Sequence, residues 1–125
     1  MSMSKILIVD DEPHLRLLYE TELKRAGYET QSAEDAHSGL KVLDDWYPDL
    51  VILDIRMSGM DGLEALQRIL QRKRRVPVIF NTAFSSYGDN YLTWAADAYI
   101  TKSADVTELL DKVEELLQIE LVADQ

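Results

Sequence analysis

Apolar and polar positions follow two periods along this chain, and the switches between them mark its elements. Residues 5–10, Lys5-Ile6-Leu7-Ile8-Val9-Asp10, are β-branched and apolar until they turn acidic at Asp10-Asp11-Glu12. A short apolar run between turn signals predicts a strand buried on both faces, here ending near Asp10. Pro13 suits the first turn of a helix, where its missing N–H costs nothing. Leu15, Leu18, Tyr19, Leu23 and Ala26 then recur at helical spacing as one buried stripe, and Gly27 supplies the C-terminal cap. Residues 28–32 form a short, more polar strand, expected at a sheet edge. Asp35 is placed to cap a second helix with Ala36, Leu40 and Leu43 inward and Trp46 or Tyr47 at its end, closed by Pro48.

The most abrupt transition follows. Leu50-Val51-Ile52-Leu53 is wholly apolar and stops at Asp54, between Pro48-Asp49 and the turn-rich Ser58-Gly59-Met60-Asp61-Gly62. This is a third buried strand, spanning about 49–54. Asp61-Gly62-Leu63-Glu64 has capping-box spacing and starts a third helix with Leu63, Leu66, Ile69 and Leu70 inward. The basic run Arg72-Lys73-Arg74-Arg75 reads as cations at a helix C-terminus rather than a nucleic-acid patch. Residues 77–82 make a fourth strand, with Pro77 tolerated at its first position. A fourth helix is expected over about 86–96. Residues 97–102 make a short fifth strand. Asp105-Val106-Thr107-Glu108 is a second capping box, opening a final helix with Val106, Leu109, Leu110, Val113 and Leu117 inward.

Strands alternating with helices through short connections predict an α/β domain with a five-stranded parallel sheet covered on both faces. The flavodoxin-like order 2-1-3-4-5 is the common choice for this count. Residues 1–125 are expected to be one domain, with its core between about 5 and 118. The formal charge of −10 argues against direct binding to nucleic acid or an anionic membrane. With no cysteine there is neither a disulfide nor a thiolate metal site. No apolar run reaches membrane-spanning length and no signal peptide is recognisable, so the cytoplasm is the default compartment.

A parallel sheet gathers its strand C-termini at one edge. That gathers Asp10 and Asp11, Asp54, Thr82 and Lys102. Two unit charges about 4 Å apart repel by roughly 4 kcal/mol at an effective dielectric near 20, so three carboxylates in one pocket need a cation or must take up protons. Hard oxygen ligands without Cys or a nearby His point to Mg²⁺ or Mn²⁺, completed by water and phosphate oxygen. A carboxylate can itself be a nucleophile, giving an acyl phosphate. Lys102 would neutralise charge on the transferred group and Thr82 would donate to its oxygen. No Walker-type Gly-rich loop is present, which points to a phosphoryl donor other than tightly bound ATP.

The motifs Ile8-Val9-Asp10-Asp11-Glu12-Pro13, Leu53-Asp54-Ile55-Arg56-Met57 with Gly59-Met60-Asp61-Gly62, Asn81-Thr82-Ala83 and Ala98-Tyr99-Ile100-Thr101-Lys102 stand in this order. Together they resemble the receiver domain of two-component response regulators over about residues 5–118. The resemblance implies that Asp54 accepts a phosphoryl group from a sensor histidine kinase. It implies that Asp11 holds Mg²⁺ directly, Asp10 through water, and that Asp54 and the Arg56 carbonyl complete the metal site. Thr82 and Lys102 would contact the phosphoryl oxygens, and Tyr99 would turn inward as Thr82 moves. The downstream partner, whether another protein or an output domain, is not legible. Ser103 stands where the family commonly has proline after the lysine, and Ser58 where it commonly has proline after Met57. Arg56 borders the site. Tyr87, Tyr91 and Trp94 lie on the expected fourth helix, either as partner anchors or as its covering. His14 and His37 read as surface residues.

Two other functions fit less well. A haloacid-dehalogenase-type phosphatase places a second Asp two residues past its nucleophile, where this chain has Arg56. A receiver-fold interaction module that works without phosphorylation would not need Asp10, Asp11, Asp54, Thr82 and Lys102 together. The expected role is therefore a signalling switch rather than an enzyme acting on other substrates.

Overall fold

The computed structural model describes residues 3–83, 95–103 and 105–123, with side chains to residue 118. Its elements are β1 (Lys5–Val9), α1 (Pro13–Arg25), β2 (Glu29–Ala33), α2 (Ala36–Trp46), β3 (Leu50–Leu53), α3 (Gly62–Leu70), β4 (Val78–Thr82), β5 (Ala98–Thr101) and α4 (Thr107–Ala123). All five strands are parallel, in the order β2-β1-β3-β4-β5. The helix expected over about 86–96, with Tyr87, Tyr91 and Trp94, lies outside the described residues.

Alternation along each strand divides the core into two layers. Leu7, Val9, Val51, Leu53, Val78 and Phe80 pack against Ala36 and Leu43 of α2 and Ala65, Leu66 and Ile69 of α3. Ile6, Ile8, Leu50, Ile52 and Ile79 pack against Tyr19 and Leu23 of α1 and Leu109, Val113 and Leu117 of α4. Strands covered on both faces must be apolar at every position, which is why β3 and most of β1 read as unbroken apolar runs.

The helix boundaries follow the capping chemistry. Gly27, at φ 101°, ends α1: its N–H donates to Lys24 O and that of Tyr28 to Leu23 O, the paired bonds of a Schellman turn. Asp35 accepts from Ser38 N at 2.8 Å, and Asp61 from Glu64 N at 2.9 Å. The capping-box expectation at 105–108 needs correction. The Asp105 carboxylate accepts from Thr107 N and Thr107 Oγ1, one residue before Glu108. β2 begins and ends one residue later than expected, and Leu70 and Ala26 are exposed rather than core. In both cases the helix ends at or beside that residue, where the stripe has turned past the sheet.

The basic run is engaged within the chain. Arg72 makes a two-pronged contact with Asp44, Arg74 donates to Pro48 O, and Arg75 pairs with Asp97 at 2.6 Å. These contacts join α2, the loop after α3 and the start of β5. They lie at the sheet edge opposite the strand C-termini.

Candidate functional site

Register fixes the geometry of the acidic edge. Val9 pairs with Leu53, so Asp10 and Asp54 leave adjacent strands side by side. Their own N–H groups extend the ladder, Asp10 N to Ala33 O at 3.1 Å and Asp54 N to Val9 O at 3.0 Å. Both carboxylates are therefore held by the sheet, and both are buried, at 2% and 5% exposure. Lys102 leaves β5 opposite β4, its N–H donating to Thr82 O at 2.7 Å. From there its ammonium reaches back across the edge. Nζ donates to Asp54 Oδ2 at 2.9 Å and lies 2.8 Å from Asp10 Oδ2 and 3.8 Å from Glu12 Oε1.

This bridge settles how two buried carboxylates coexist. Burial raises the Asp54 pKa, and the Lys102 hydrogen bond and charge work in the opposite direction without cancelling it. Burial alone would lower the Lys102 pKa, but hydrogen bonds and charge from Asp10 and Asp54 outweigh it and raise the group above its ordinary value. Lys102 thus stays protonated throughout the physiological range.

Asp10 has little capacity left. Its Oδ1 accepts from Glu12 N at 2.9 Å, its Oδ2 faces Lys102, and its carbonyl accepts from Arg16 Nη1 at 2.7 Å. Asp11 and Glu12 are exposed, and each has a carboxylate oxygen within 4.8 Å of one on Asp10. The Asp10, Asp11 and Glu12 carboxylates form a compact group of hard oxygen donors, which fits Mg²⁺. Glu12 was not among the expected metal-site residues, although its place beside the acid pair could have signalled it. Asp54 is not in that group. It joins the site through Lys102.

The remaining expected residues are placed as follows. Thr82 ends β4 and is fully buried. Tyr99 lies on β5 opposite Phe80, its ring edge-on with centroids 6.5 Å apart, half-buried against the layer beneath α3. Arg56 is exposed on the loop after Asp54. Among the described residues no peptide bond is cis, so that between Lys102 and Ser103 is trans. Ser103 Oγ donates to Asp105 O at 2.7 Å, just past Lys102.

Gly62 has a role not read from the sequence. Its N–H donates to Ile55 O at 2.7 Å, and its Cα rests on the Asp54–Ile55 backbone. A Cβ there would collide with Asp54 O and come within 2.6 Å of Ile55 Cα. The start of α3 is thus seated directly on the chain that carries Asp54.

Comparison with known proteins agrees with this geometry. The family model described as the response regulator receiver domain matches residues 6–114. The response regulator TrrA of Thermotoga maritima, solved in complex with Mg²⁺-BeF, is 44% identical, with a TM-score of 0.88 over 91% of this chain and 99% of that one. A structure of the histidine kinase ThkA in complex with TrrA matches at 44% identity and a TM-score of 0.86, over 92% of this chain and 99% of that one. The regulatory protein AtoC of Escherichia coli is 36% identical over 121 residues, 95% of this chain but 26% of its own length. The chain spans about half or less of such curated relatives, as with PhoP of Bacillus subtilis, at 34% identity over 91% of this chain and 48% of the relative.

Proposed function

The chain belongs to the response regulator receiver domain family, and from that premise we propose that Asp54 is its phosphoryl acceptor, with Asp10, Asp11, Thr82 and Lys102 as supporting residues. One observation carries the assignment: a single ammonium, 2.8 Å from Asp10 and 2.9 Å from Asp54, links two buried carboxylates at the sheet's C-terminal edge. An aspartate attacks phosphorus only as the carboxylate. Burial opposes that form and Lys102 favours it.

The proposed step is a transfer from phosphohistidine. A carboxylate oxygen of Asp54 bonds to phosphorus, the bond from phosphorus to the donor nitrogen breaks, and the imidazole leaves with the electron pair. Lys102 remains charged and can turn from the Asp54 carboxylate to the phosphoryl oxygens. Thr82 sits at the end of the neighbouring strand, where its hydroxyl can follow the same group. Bound Mg²⁺ would supply charge neutralisation between the carboxylates and the phosphoryl oxygens. Asp11 and Glu12 are the exposed donors for it. Asp10, already engaged through both oxygens, serves better through water, and the Arg56 carbonyl would be a further ligand. Tyr99, half-buried beside Phe80, is the side chain through which we expect the change at Thr82 to reach the β5 surface.

The kinase complex of TrrA supports a sensor histidine kinase as the donor. The relatives that carry a receiver within a longer regulator support an output domain or separate protein as the recipient, with residues 1–125 acting as one receiver unit. No described helix is long and apolar enough to cross a membrane. We assign the chain to the cytoplasm, where a kinase charged from ATP would meet it.

The test is incubation with acetyl phosphate and Mg²⁺, read by intact-protein mass spectrometry. The wild type is expected to gain one phosphoryl group and Asp54→Asn none. An unmodified wild type, or an equal adduct on the variant, would overturn the assignment.

A further inference from the structure

Asn81 is the anomaly of the core. β4 reads Val78-Ile79-Phe80-Asn81-Thr82, and strand alternation turns Asn81 to the same face as Ile79, toward α1 and α4. The residue is 3% exposed, and its Nδ2 has no hydrogen-bond partner. The Tyr19 phenol interacts with the amide. Burial raises the Tyr19 pKa while the Asn81 amide works to lower it, yet the contact falls short of a well-formed hydrogen bond. An unsatisfied buried amide costs about 1–3 kcal/mol, and native folds rarely leave one so.

A small cavity lies against this amide. It is lined by Tyr19 of α1, Asn81, Ile100 and Thr101 of the strands, Ser103, Asp105 and Val106 before α4, and Glu108 and Leu109 in its first turn. Its volume is about 10 Å³, close to the ~10–15 Å³ needed by one water molecule. At the start of α4 the Asp105 carboxylate accepts from Thr107 N and Thr107 Oγ1, and the first N–H groups of a helix have no intrahelical acceptor. Asn81 Nδ2 thus presents the cavity with a donor that needs an acceptor. The carboxylates of Asp105 and Glu108 at its exposed rim disfavour an anion, and the volume suits one water molecule.

We propose that Asn81, Tyr19 and the first turn of α4 enclose a binding site for one structural water, which ties the end of β4 to both helices of that layer. The water accepts from Asn81 Nδ2 and from a helix N–H and can donate to the Tyr19 oxygen, giving the amide the partner it lacks. Asn81 immediately precedes Thr82, so the bridge would link the end of the strand carrying Thr82 to α1 and α4. On the receiver reading above, Asn81 is then a positioning residue, although the water site does not depend on phosphorylation.

The test compares the wild type with Asn81→Val and Asn81→Thr, a pair of nearly equal shape of which only threonine keeps a donor. Water-selective NMR should show direct cross-relaxation between water and the Asn81 side-chain amide protons. In Asn81→Val, native-state exchange of the first-turn amides of α4 should accelerate by about fivefold, the effect of losing one bridging bond, and Asn81→Thr should restore most of it. No water cross-peak at the Asn81 amide in the wild type would overturn the site. Identical exchange in wild type and Asn81→Val would overturn the bridge. Failure of Asp54 to take up a phosphoryl group would remove the positioning role while leaving both readouts intact.

Discussion

Replacing Gly62 with alanine should be among the most damaging single-methyl additions in this protein. The new Cβ would meet backbone rather than a side chain, so no rotamer change can relieve it. It would lie 2.6 Å from Ile55 Cα, against about 3.5–4.0 Å for an unstrained carbon pair, so the start of α3 must withdraw by about 1 Å. Overpacking of this kind costs about 1–3 kcal/mol, and an immovable neighbour puts it at the upper end. Withdrawal also stretches the 2.7 Å bond from Gly62 N to Ile55 O, worth about 1 kcal/mol more. The sum is about 3–4 kcal/mol. For a chain of this size each kcal/mol lowers Tm by roughly 3–5 °C, so a fall of about 9–20 °C is expected. Urea and thermal unfolding followed by circular dichroism would measure it, with Gly59→Ala as the control. Gly59 has open space around it and only its φ of 78° to maintain, so alanine there should cost about 1 kcal/mol. The variant should also take up a phosphoryl group more slowly, because the displaced backbone carries Asp54. A Gly62→Ala protein within 1 kcal/mol of wild type, or no less stable than Gly59→Ala, would refute the argument.

Three further outcomes follow from the site and the caps. The raised Asp54 pKa means that ionising this residue costs folding free energy, a cost absent below its ordinary value of 3.8 and growing as pH rises through the raised folded value. Asp54→Asn should therefore gain stability relative to wild type across that interval in pH-dependent urea titrations, and a constant difference would contradict the sign. Lys102 has the opposite dependence: its contribution is complete below 10.5 and is lost as pH climbs through the raised folded value. Lys102→Met should thus be destabilised at neutral pH and approach wild type only in strong alkali. Asp61→Ala removes the acceptor for Glu64 N and should cost about 1 kcal/mol by the same titrations.

Much of this protein was legible before any coordinates. Apolar runs at 6–9 and 50–53 announce strands buried on both faces, and Asp35, Asp61 and Gly27 mark helix ends because capping is a contact between near neighbours. Parallel strands bring their C-terminal ends to one edge, so Asp10, Asp54, Thr82 and Lys102 could be gathered from topology alone. Local patterns cannot encode through-space contact. That Lys102 bridges Asp10 and Asp54, the latter 48 residues away, follows from strand register. That Glu12 joins the acidic group follows from a loop that folds back on Asp10. The need for glycine at 62 arises only because α3 lands on the Asp54 backbone, and the unpartnered amide of Asn81 only because α1 and α4 close over it. Periodicity specifies which face of an element is buried, whereas packing decides which atoms meet there, and the chemistry of this site belongs to the atoms that meet.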